Sequence, residues 1–370
     1  MDPIKSVYIH IPFCKTICSY CDFCKTYYDH AQISDYLEIL KKEIKLNYKQ
    51  EKIKTIYIGG GTPSCLSLKE LESLFDIINI FNLEKDYEFT IECNFDSIDY
   101  EKLKLFKERK INRLSFGLET TNKDMLNLLE RELDKDKVIT TINSAKKLGL
   151  ENINVDLMYA LIGEDIDMLK KDLDFILSLK VPHISLYSLI LEEHTKLFLS
   201  KQKPIDEELD LKMYNTIHET LTKNGYDHYE ISNYAKKDYY SRHNKTYWKN
   251  ECYYGFGLGA SGYTNNERYQ NTNSPQKYLK ESFIYEKEKL TKKDKMIYEL
   301  ILGLRLKEGI NEDEFYNKYH HHLNDVFNYN DLIKNGYLCY HNKRLYIPFN
   351  KWYVINTILL RFLEVKDGEK

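Results

Sequence analysis

The sequence predicts an α/β protein whose parallel strands curve into a full or partial barrel, followed by a mainly helical domain. Two observations support this prediction. Strand patterns alternate with helical patterns six times before residue 225, and this alternation favours parallel strands joined by right-handed crossovers. The last part of the chain has three helical patterns followed by a hairpin pattern. In such barrels, ligands bind at the C-terminal ends of the strands.

The six strand patterns are short, apolar segments, several of which alternate with the period of a half-buried strand. They are Val7–Ile11, Ile53–Ile58, Tyr87–Glu92, Arg113–Phe116, Ile153–Leu157 and His183–Ile190. Helical spacing lies between them, and one helix begins at Ser67, where Glu70 completes a capping box. Later helices are predicted at 166–179 and 207–224.

The remaining chain is predicted as a smaller, winged-helix-like domain. A polar, aromatic segment covers 226–263, and the Asn-, Thr- and Ser-rich stretch 265–278 is predicted to be a loop. We place a domain boundary near Glu286, which gives domains 1–286 and 287–370. Helices are expected at 294–306, 312–319 and 324–335, then a hairpin at 337–347 and a last helix at 352–362.

Composition excludes several classes of protein. The 370 residues are 42% hydrophobic, which allows a sizeable core and two or three domains. The 54 basic and 57 acidic residues give a net charge of −3 without a polybasic block, so no nucleic-acid partner is expected. The sequence contains no run of about 18 apolar residues, so no integral membrane segment is expected. Clustered and isolated cysteines fit a reducing cytoplasm better than a disulfide framework.

A cysteine loop follows the first strand, which Pro12 ends. Cys14, Cys18 and Cys21 have the spacing C-x3-C-x2-C, and three thiolates this close favour one inorganic centre. An iron–sulfur cubane held by three cysteines leaves one iron open to the amine and carboxylate of an amino acid. The alternative is a zinc site with Cys24 as fourth ligand.

The segment YIHIPF followed by this cysteine spacing resembles the radical S-adenosylmethionine (SAM) superfamily. The similar branch contains oxygen-independent coproporphyrinogen III oxidases and HemW-like haem chaperones. The resemblance implies a partial (β/α)6 barrel and a [4Fe–4S] cluster held by Cys14, Cys18 and Cys21, with SAM on the open iron. Cys24 stands where the family usually has another residue.

The resemblance also implies where SAM is held. Gly59-Gly60-Gly61-Thr62-Pro63 is similar to the family segment that binds the SAM amino group, whereas by itself it could be a simple tight turn. Glu119 replaces a glutamine that is common in the family. The SAM-binding residues implied by the family pattern are Tyr8, Tyr20, Gly60, Gly61, Thr62, Glu92, Glu119, Arg131 and Asp156.

The stretch from Tyr229 to Trp248 contains His243 among large aromatic residues. An imidazole in this setting is either an ordinary core or surface histidine or an axial haem ligand. The stretch resembles the YEISNxAK and HNxxYW signatures of HemW-like proteins, and this resemblance implies that His243 binds haem. Ser261 occupies a position where the family often has histidine.

The expected function is that of a haem chaperone, which binds a cluster, SAM and haem and delivers haem to acceptor proteins such as respiratory enzymes. The alternative is an oxygen-independent coproporphyrinogen III dehydrogenase, which oxidatively decarboxylates its substrate with SAM. The oxidases carry an extension before their cluster, whereas here the first cysteine is already residue 14. The sequence leaves open whether SAM is cleaved.

Overall fold

The computed structural model describes residues 3–362. Its centre is one twelve-stranded sheet. In chain order, its strands are β1 (Ser6–Ile11), β2 (Lys52–Gly60), β3 (Asn82–Asn94), β4 (Arg113–Glu119), β5 (Asn152–Tyr159), β6 (His183–Ser188), β7 (Asp227–Glu230), β8 (Asn233–Ala235), β9 (Tyr253–Phe256), β10 (Ser261–Thr264), β11 (Glu267–Asn271) and β12 (Ile284–Lys289).

The strand order in this sheet is β12-β11-β10-β9-β1-β2-β3-β4-β5-β6-β8-β7. From β9 to β6 every neighbouring pair is parallel, whereas the strands at both edges pair antiparallel. The six predicted strands form β1 to β6, which confirms the parallel α/β core. Because the two ends of the order do not pair within residues 3–362, the wall is a partial barrel.

Helices cover the parallel strands and continue into the C-terminal domain. They are α1 (His30–Asn47), α2 (Leu68–Ile78), α3 (Tyr100–Glu108), α4 (Lys123–Leu128), α5 (Lys135–Lys147), α6 (Ile166–Ser178), α7 (Lys196–Leu199), α8 (Glu207–Lys223), α9 (Arg242–Trp248), α10 (Pro275–Leu279), α11 (Lys292–Gly303), α12 (Glu312–Tyr319), α13 (Leu323–Val326), α14 (Asn330–Lys334) and α15 (Ile355–Leu360). The capping box of α2 is present, since the Ser67 N–H donates to Glu70 Oε2 at 2.7 Å.

Two local predictions are wrong. The stretch 265–278 is not a loop, because β11 and α10 occupy most of it. Polar side chains of this stretch form hydrogen bonds with distant segments: the buried Asn271 Nδ2, for example, donates to a glutamate of α1. The single helix expected at 324–335 is divided into α13 and α14.

The C-terminal domain combines short helices with a small sheet of β13 (Ile310–Asn311), β14 (Cys339–His341) and β15 (Arg344–Tyr346). Glu286, where we expect the boundary, lies in β12. The segment after β15 packs on the barrel, because the Phe349 ring stacks on His218 of α8 at 3.5 Å between ring centroids. No helix in residues 3–362 has the length and apolar character needed to cross a bilayer.

A buried carboxylate joins α1 to the extension of the sheet. Glu43 is 2% exposed. It accepts hydrogen bonds from the Gly257 N–H (2.9 Å), Asn271 Nδ2 (2.6 Å) and the Tyr278 hydroxyl (2.6 Å). These three donors lie after β9, at the end of β11 and in α10, so one side chain holds three separate segments against α1.

We predict that Glu43→Ala lowers the free energy of unfolding by about 2–4 kcal/mol, because three buried donors lose their acceptor. Urea denaturation followed by circular dichroism measures this change. Glu38→Ala is the matched control, since Glu38 lies exposed on the same helix and its loss should be close to neutral. Equal effects of the two substitutions would contradict this role of Glu43.

Candidate iron–sulfur and SAM site

A cavity of about 1050 Å³ opens at the C-terminal ends of the parallel strands. Most of the predicted site residues line it together. They are Cys14, Cys18, Tyr20, Cys21, Gly60, Gly61, Thr62, Glu92, Glu119, Arg131 and Asp156. Tyr8 and His243 lie elsewhere. The volume of the cavity lies at the upper end of the roughly 300–1,000 Å³ typical of small-molecule and cofactor sites.

The cysteine loop is held at its base and at its tip. Phe13–Cys14 pairs in parallel with Thr26–Tyr27, which closes the loop. At the tip, the Ser19 hydroxyl donates to the Leu128 carbonyl at 2.6 Å, at the end of α4. These contacts orient the thiols of Cys14, Cys18 and Cys21 towards the cavity.

The three thiols fit a cubane better than a single ion. The pKa of Cys14 is raised to about 11, mainly by burial and also by the neighbouring Cys21 and Cys18, although the Thr62 hydroxyl lowers it. Within residues 3–362, no three Cys, His, Asp or Glu side chains meet at one point suitable for a single metal ion. A cubane presents a separate iron to each thiolate, so its ligands surround a space instead of meeting at one ion.

Cys24 points away from the other three cysteines. It does not line the main cavity but packs against Gly259, where an added Cβ would lie 2.9 Å from Cys24 Sγ. Its carbonyl accepts a hydrogen bond from His10 Nε2 at 2.7 Å. Cys24 therefore fastens the cysteine loop to β1 and to the backbone at Gly259, and the four-cysteine zinc site does not fit this arrangement.

The glycine run after β2 lies directly beneath the cysteine loop. An added Cβ at Gly61 would lie 2.8 Å from the backbone of Pro12 and Phe13. Gly60 has φ +116°, and an added Cβ there would lie 2.6 Å from the His10 ring. The Gly61 N–H donates to the Ile11 carbonyl at 2.9 Å. Residues with side chains would force this turn and the cysteine loop apart.

Two carboxylates at the strand ends face the same cavity. Glu92 accepts hydrogen bonds from the Tyr57 hydroxyl (2.7 Å) and the Gly60 N–H (3.0 Å), and burial raises its pKa to about 7. Asp156 accepts one from Asn154 Nδ2 at 2.7 Å, and burial raises its pKa as well. Such acceptors suit the ammonium group and ribose hydroxyls of SAM.

A third carboxylate is paired with the one cation among the predicted residues. Glu119 has φ +65°, and its Oε1 lies 3.5 Å from Arg131 Nη1. Burial raises the pKa of Glu119 to about 7, although Arg131 lowers it. Arg131 Nη1 also lies 3.6 Å from Cys18 Sγ, and Nη2 donates to the Gly117 carbonyl at 3.0 Å. Arg131 thus places a positive charge beside both a thiol and a carboxylate.

Sequence reasoning missed many of the lining residues, among them Asn94, Tyr57 and Arg113. Asn94 lies two residues after Glu92 on the same face of β3, and its amide bonds to Thr62 Oγ1 at 3.3 Å. Alternation along β3 could have identified it. Tyr57 and Arg113 also line the cavity, and Arg113 is 2% exposed with its Nε atom unpaired. No motif marked either residue.

Tyr8 lies in a second, smaller cavity of about 440 Å³, which we call the groove. The Tyr8 hydroxyl donates to His10 Nδ1 at 3.0 Å, and its ring stacks on Tyr57 at 6.1 Å. Tyr57 lines the main cavity, so the Tyr8–Tyr57 pair stands between the two cavities. The groove is lined by Tyr8, His10, Asp22, Phe23, Cys24, Tyr247, Tyr253, Gly259, Ser261, Gln270 and Asn273.

The structure places His243 in the core and not in the main cavity, and its assignment as a haem ligand stays a prediction. Its side chain is fully buried, and both ring nitrogens hold hydrogen bonds. Nδ1 lies 2.8 Å from Thr55 Oγ1, and Nε2 lies 2.7 Å from the Tyr247 hydroxyl. Burial lowers the pKa of His243 to about 3, so the ring is neutral. In the ligand-free chain both nitrogens are therefore occupied by hydrogen bonds, and the residue is part of the core behind β2.

The raised pKa of Glu92 predicts a pH-dependent stability. In the ligand-free protein, the native state binds more protons than the unfolded state between about pH 4.5 and 7, so stability falls as pH rises through this range. We expect the unfolding free energy of the wild type, relative to Glu92→Gln, to fall by about 1–3 kcal/mol from pH 4.5 to pH 8.

Urea denaturation at several pH values measures this difference, and Glu119 contributes equally to both proteins. Glu38→Gln, which removes an exposed carboxylate, should show no comparable divergence from the wild type. Parallel profiles for the wild type and Glu92→Gln would show that burial does not raise the pKa of Glu92.

Comparison with known proteins agrees with the cysteine loop and the barrel. The family model of the radical SAM superfamily matches residues 8–176, and the HemN C-terminal domain matches residues 290–348. The solved structure of coproporphyrinogen III oxidase (HemN) from Escherichia coli superposes with a TM-score of 0.86, covering 98% of this chain and 90% of that one. At 20% identity, this likeness shows a shared fold. A radical SAM chain implies a [4Fe–4S] cluster and SAM.

Curated relatives cover almost the whole chain. Heme chaperone HemW from Lactococcus lactis subsp. lactis is 40% identical over 371 residues, which cover 97% of both chains. Heme chaperone HemW from Bacillus subtilis is 36% identical and covers 97% of this chain and 99% of its own length. This degree of likeness, together with the cysteine loop and barrel, shows that the chain belongs to the HemW family of radical SAM proteins.

Proposed function

We propose that this protein is a haem chaperone that holds a [4Fe–4S] cluster and SAM in the main cavity and delivers haem to acceptor proteins. The observation that carries the cofactor part is the grouping of three thiols, a glycine turn and three carboxylates around one cavity. The haem part is supported by the relatives, which are named heme chaperones and match over nearly the full chain.

Each group in the main cavity has a role in this proposal. Cys14, Cys18 and Cys21 hold the cluster, and the turn at Gly60 and Gly61 lets backbone approach the amino-acid end of SAM. The cluster, when bound, supplies one electron for reductive chemistry on SAM. The other lining residues orient the cofactor and limit the access of water.

Different polar residues in the cavity would bind different parts of SAM. Glu92 and Asp156 offer oxygen acceptors, and Glu92 is held in place by Tyr57. Arg131 provides a cation for a carboxylate and lies beside Cys18, where it offsets the negative charge of a thiolate. The pairing of Arg131 with Glu119 keeps that cation in position before any ligand arrives.

We further propose that the acceptors are haem proteins, including respiratory enzymes, and that the protein works in the cytoplasm. The eight cysteines, all within residues 3–362, form no disulfide with one another, which is typical of a reducing compartment. The alternative function is that of an oxygen-independent coproporphyrinogen III dehydrogenase, which has the same fold. An activity assay distinguishes the two functions.

The test is anaerobic iron and sulfide reconstitution followed by a haem titration. We expect the wild type to show the visible absorption of a [4Fe–4S] cluster and to bind about one haem per chain. The combined variant Cys14→Ser, Cys18→Ser, Cys21→Ser should lose the cluster absorption. Cys339→Ser, in the C-terminal β14, is the matched control and should keep it.

Two outcomes would overturn the proposal. One is the absence of haem binding by the reconstituted wild type. The other is SAM-dependent conversion of coproporphyrinogen III to protoporphyrinogen under anaerobic conditions, which would identify an oxidative decarboxylase. If the triple variant retained the cluster, the assignment of Cys14, Cys18 and Cys21 as its ligands would be wrong. The haem titration would still test haem binding separately.

A further inference from the structure

We propose that the groove binds a small organic ammonium ion, held by tyrosine rings and by the carboxylate of Asp22. The volume of the groove, about 440 Å³, lies in the range of sites for small ligands. The groove is distinct from the cavity that contains the three thiols, and the proposal does not depend on haem binding.

The charge of the groove favours a cation. Among the described residues that line it, Asp22 is the only Asp, Glu, Lys or Arg, and its side chain is exposed. His10 also lines the groove, but burial lowers its pKa to about 4, so the ring is neutral at neutral pH. A ligand in the groove therefore meets one carboxylate and no opposing positive charge on the lining.

Two cations near the groove are bound to other partners. Lys25 lines the main cavity, and its ammonium group donates a hydrogen bond to the Cys21 carbonyl. The Arg268 guanidinium lies over the rings of Tyr263 and Tyr298, 4.5 Å and 4.2 Å from the ring centroids. Both positive charges are therefore engaged outside the groove.

Three tyrosine rings give the groove an aromatic lining. The Tyr8 hydroxyl donates to His10 Nδ1 at 3.0 Å, and the Tyr247 hydroxyl lies 2.7 Å from His243 Nε2, so both rings are fixed by hydrogen bonds. The rings of Tyr247 and Tyr253 meet at an angle of 73°, with centroids 4.7 Å apart. Rings at such an angle form a corner, and the electron-rich faces of aromatic rings attract ammonium ions.

Amide and hydroxyl side chains complete the lining. Gln270 and Asn273 line the groove together with Ser261, which lies opposite Gln270 in the pairing of β10 and β11. Their oxygen atoms can accept hydrogen bonds from an ammonium group or from a hydroxyl group of the ligand. A histidine at position 261, where the family often has one, would fill space and would be positively charged when protonated. The serine leaves the groove wider and without that charge.

Phe23 adds an apolar surface beside the carboxylate. It follows Asp22 in the chain, lines the same groove and is 68% exposed. An exposed aromatic ring gains when an apolar group of a ligand covers it. The groove therefore suits a ligand that has a positive charge for Asp22 and methyl or methylene groups for the rings, and an alkylammonium ion has both.

Isothermal titration calorimetry of the full-length, cluster-reconstituted protein tests the proposal with three small alcohols. Choline and ethanolamine are cations, whereas the third probe is the neutral alcohol in which carbon replaces the nitrogen of choline. We expect saturable binding of at least one cation, and binding of the neutral alcohol weaker by about tenfold. Tighter binding of choline would indicate a methylated ammonium ligand, and tighter binding of ethanolamine a primary one.

Variants separate the charge of the site from its rings. Asp22→Asn should weaken cation binding by about tenfold, whereas Asp35→Asn, at an exposed position of α1, should leave it unchanged. Tyr253→Leu should weaken binding because a ring is lost, whereas Tyr253→Phe keeps the ring and should keep the affinity. Gln270→Lys places a positive charge in the groove and should abolish binding of both cations.

Three results would overturn the proposal. They are the absence of saturable binding of both cations, equal affinity of the neutral alcohol and the better-bound cation, and unchanged binding in both Asp22→Asn and Gln270→Lys. Circular dichroism shows whether each variant is folded, and the preference of the wild type for a cation tests the proposal without any substitution. Haem binding is measured separately, so its failure would remove the proposed function and not this site.

Discussion

The close approach of β1 and β2 at their C-terminal ends is the constraint on which the site depends. The Gly61 N–H bonds to the Ile11 carbonyl, and the Thr62 N–H bonds to the Phe13 carbonyl at 2.8 Å, with no side chain between the two segments. This contact brings the cysteine loop over the mouth of the barrel. The carboxylates of β3 to β5 then face the thiols across one space, because parallel strands end at one edge of the sheet.

The electrostatic character of the site follows from this geometry. Glu92, Glu119 and Asp156 all have raised pKa values because they are withdrawn from water. Arg113 partly offsets this shift at Glu92 and Asp156, and Arg131 partly offsets it at Glu119 and Asp156. Burial disfavours the ionised form of these carboxyl groups. A positively charged ligand would stabilise that ionised form. A ligand with an ammonium or sulfonium group therefore finds acceptors already in place, and little reorganisation is needed when it binds.

Features set by local sequence could be predicted, and features set by distant contacts could not. The capping box at Ser67 and the alternation of β1 involve neighbouring residues, so the sequence shows them directly. The environment of His243 depends on Thr55 and Glu88, which lie 188 and 155 residues away. Only the fold shows that Tyr247 of this segment lines a cavity and that His243 is buried behind it.

The same limit applies to the second half of the sheet. The strand β9 lies in a stretch that reads as polar and aromatic, and its parallel pairing with β1 has no local signal. Similarly, 265–278 has a loop-like composition, yet the Asn271 side chain finds its partner in Glu43. Buried hydrogen bonds between distant segments permit polar residues in regular structure, and composition alone does not reveal such bonds.

Phe23 lines both the main cavity and the groove, since the cysteine loop forms a wall of each. Because this loop also carries Cys14, Cys18 and Cys21, a change in its path alters both cavities together. A substitution of Phe23 therefore reshapes two cavities at once, although it changes a single side chain.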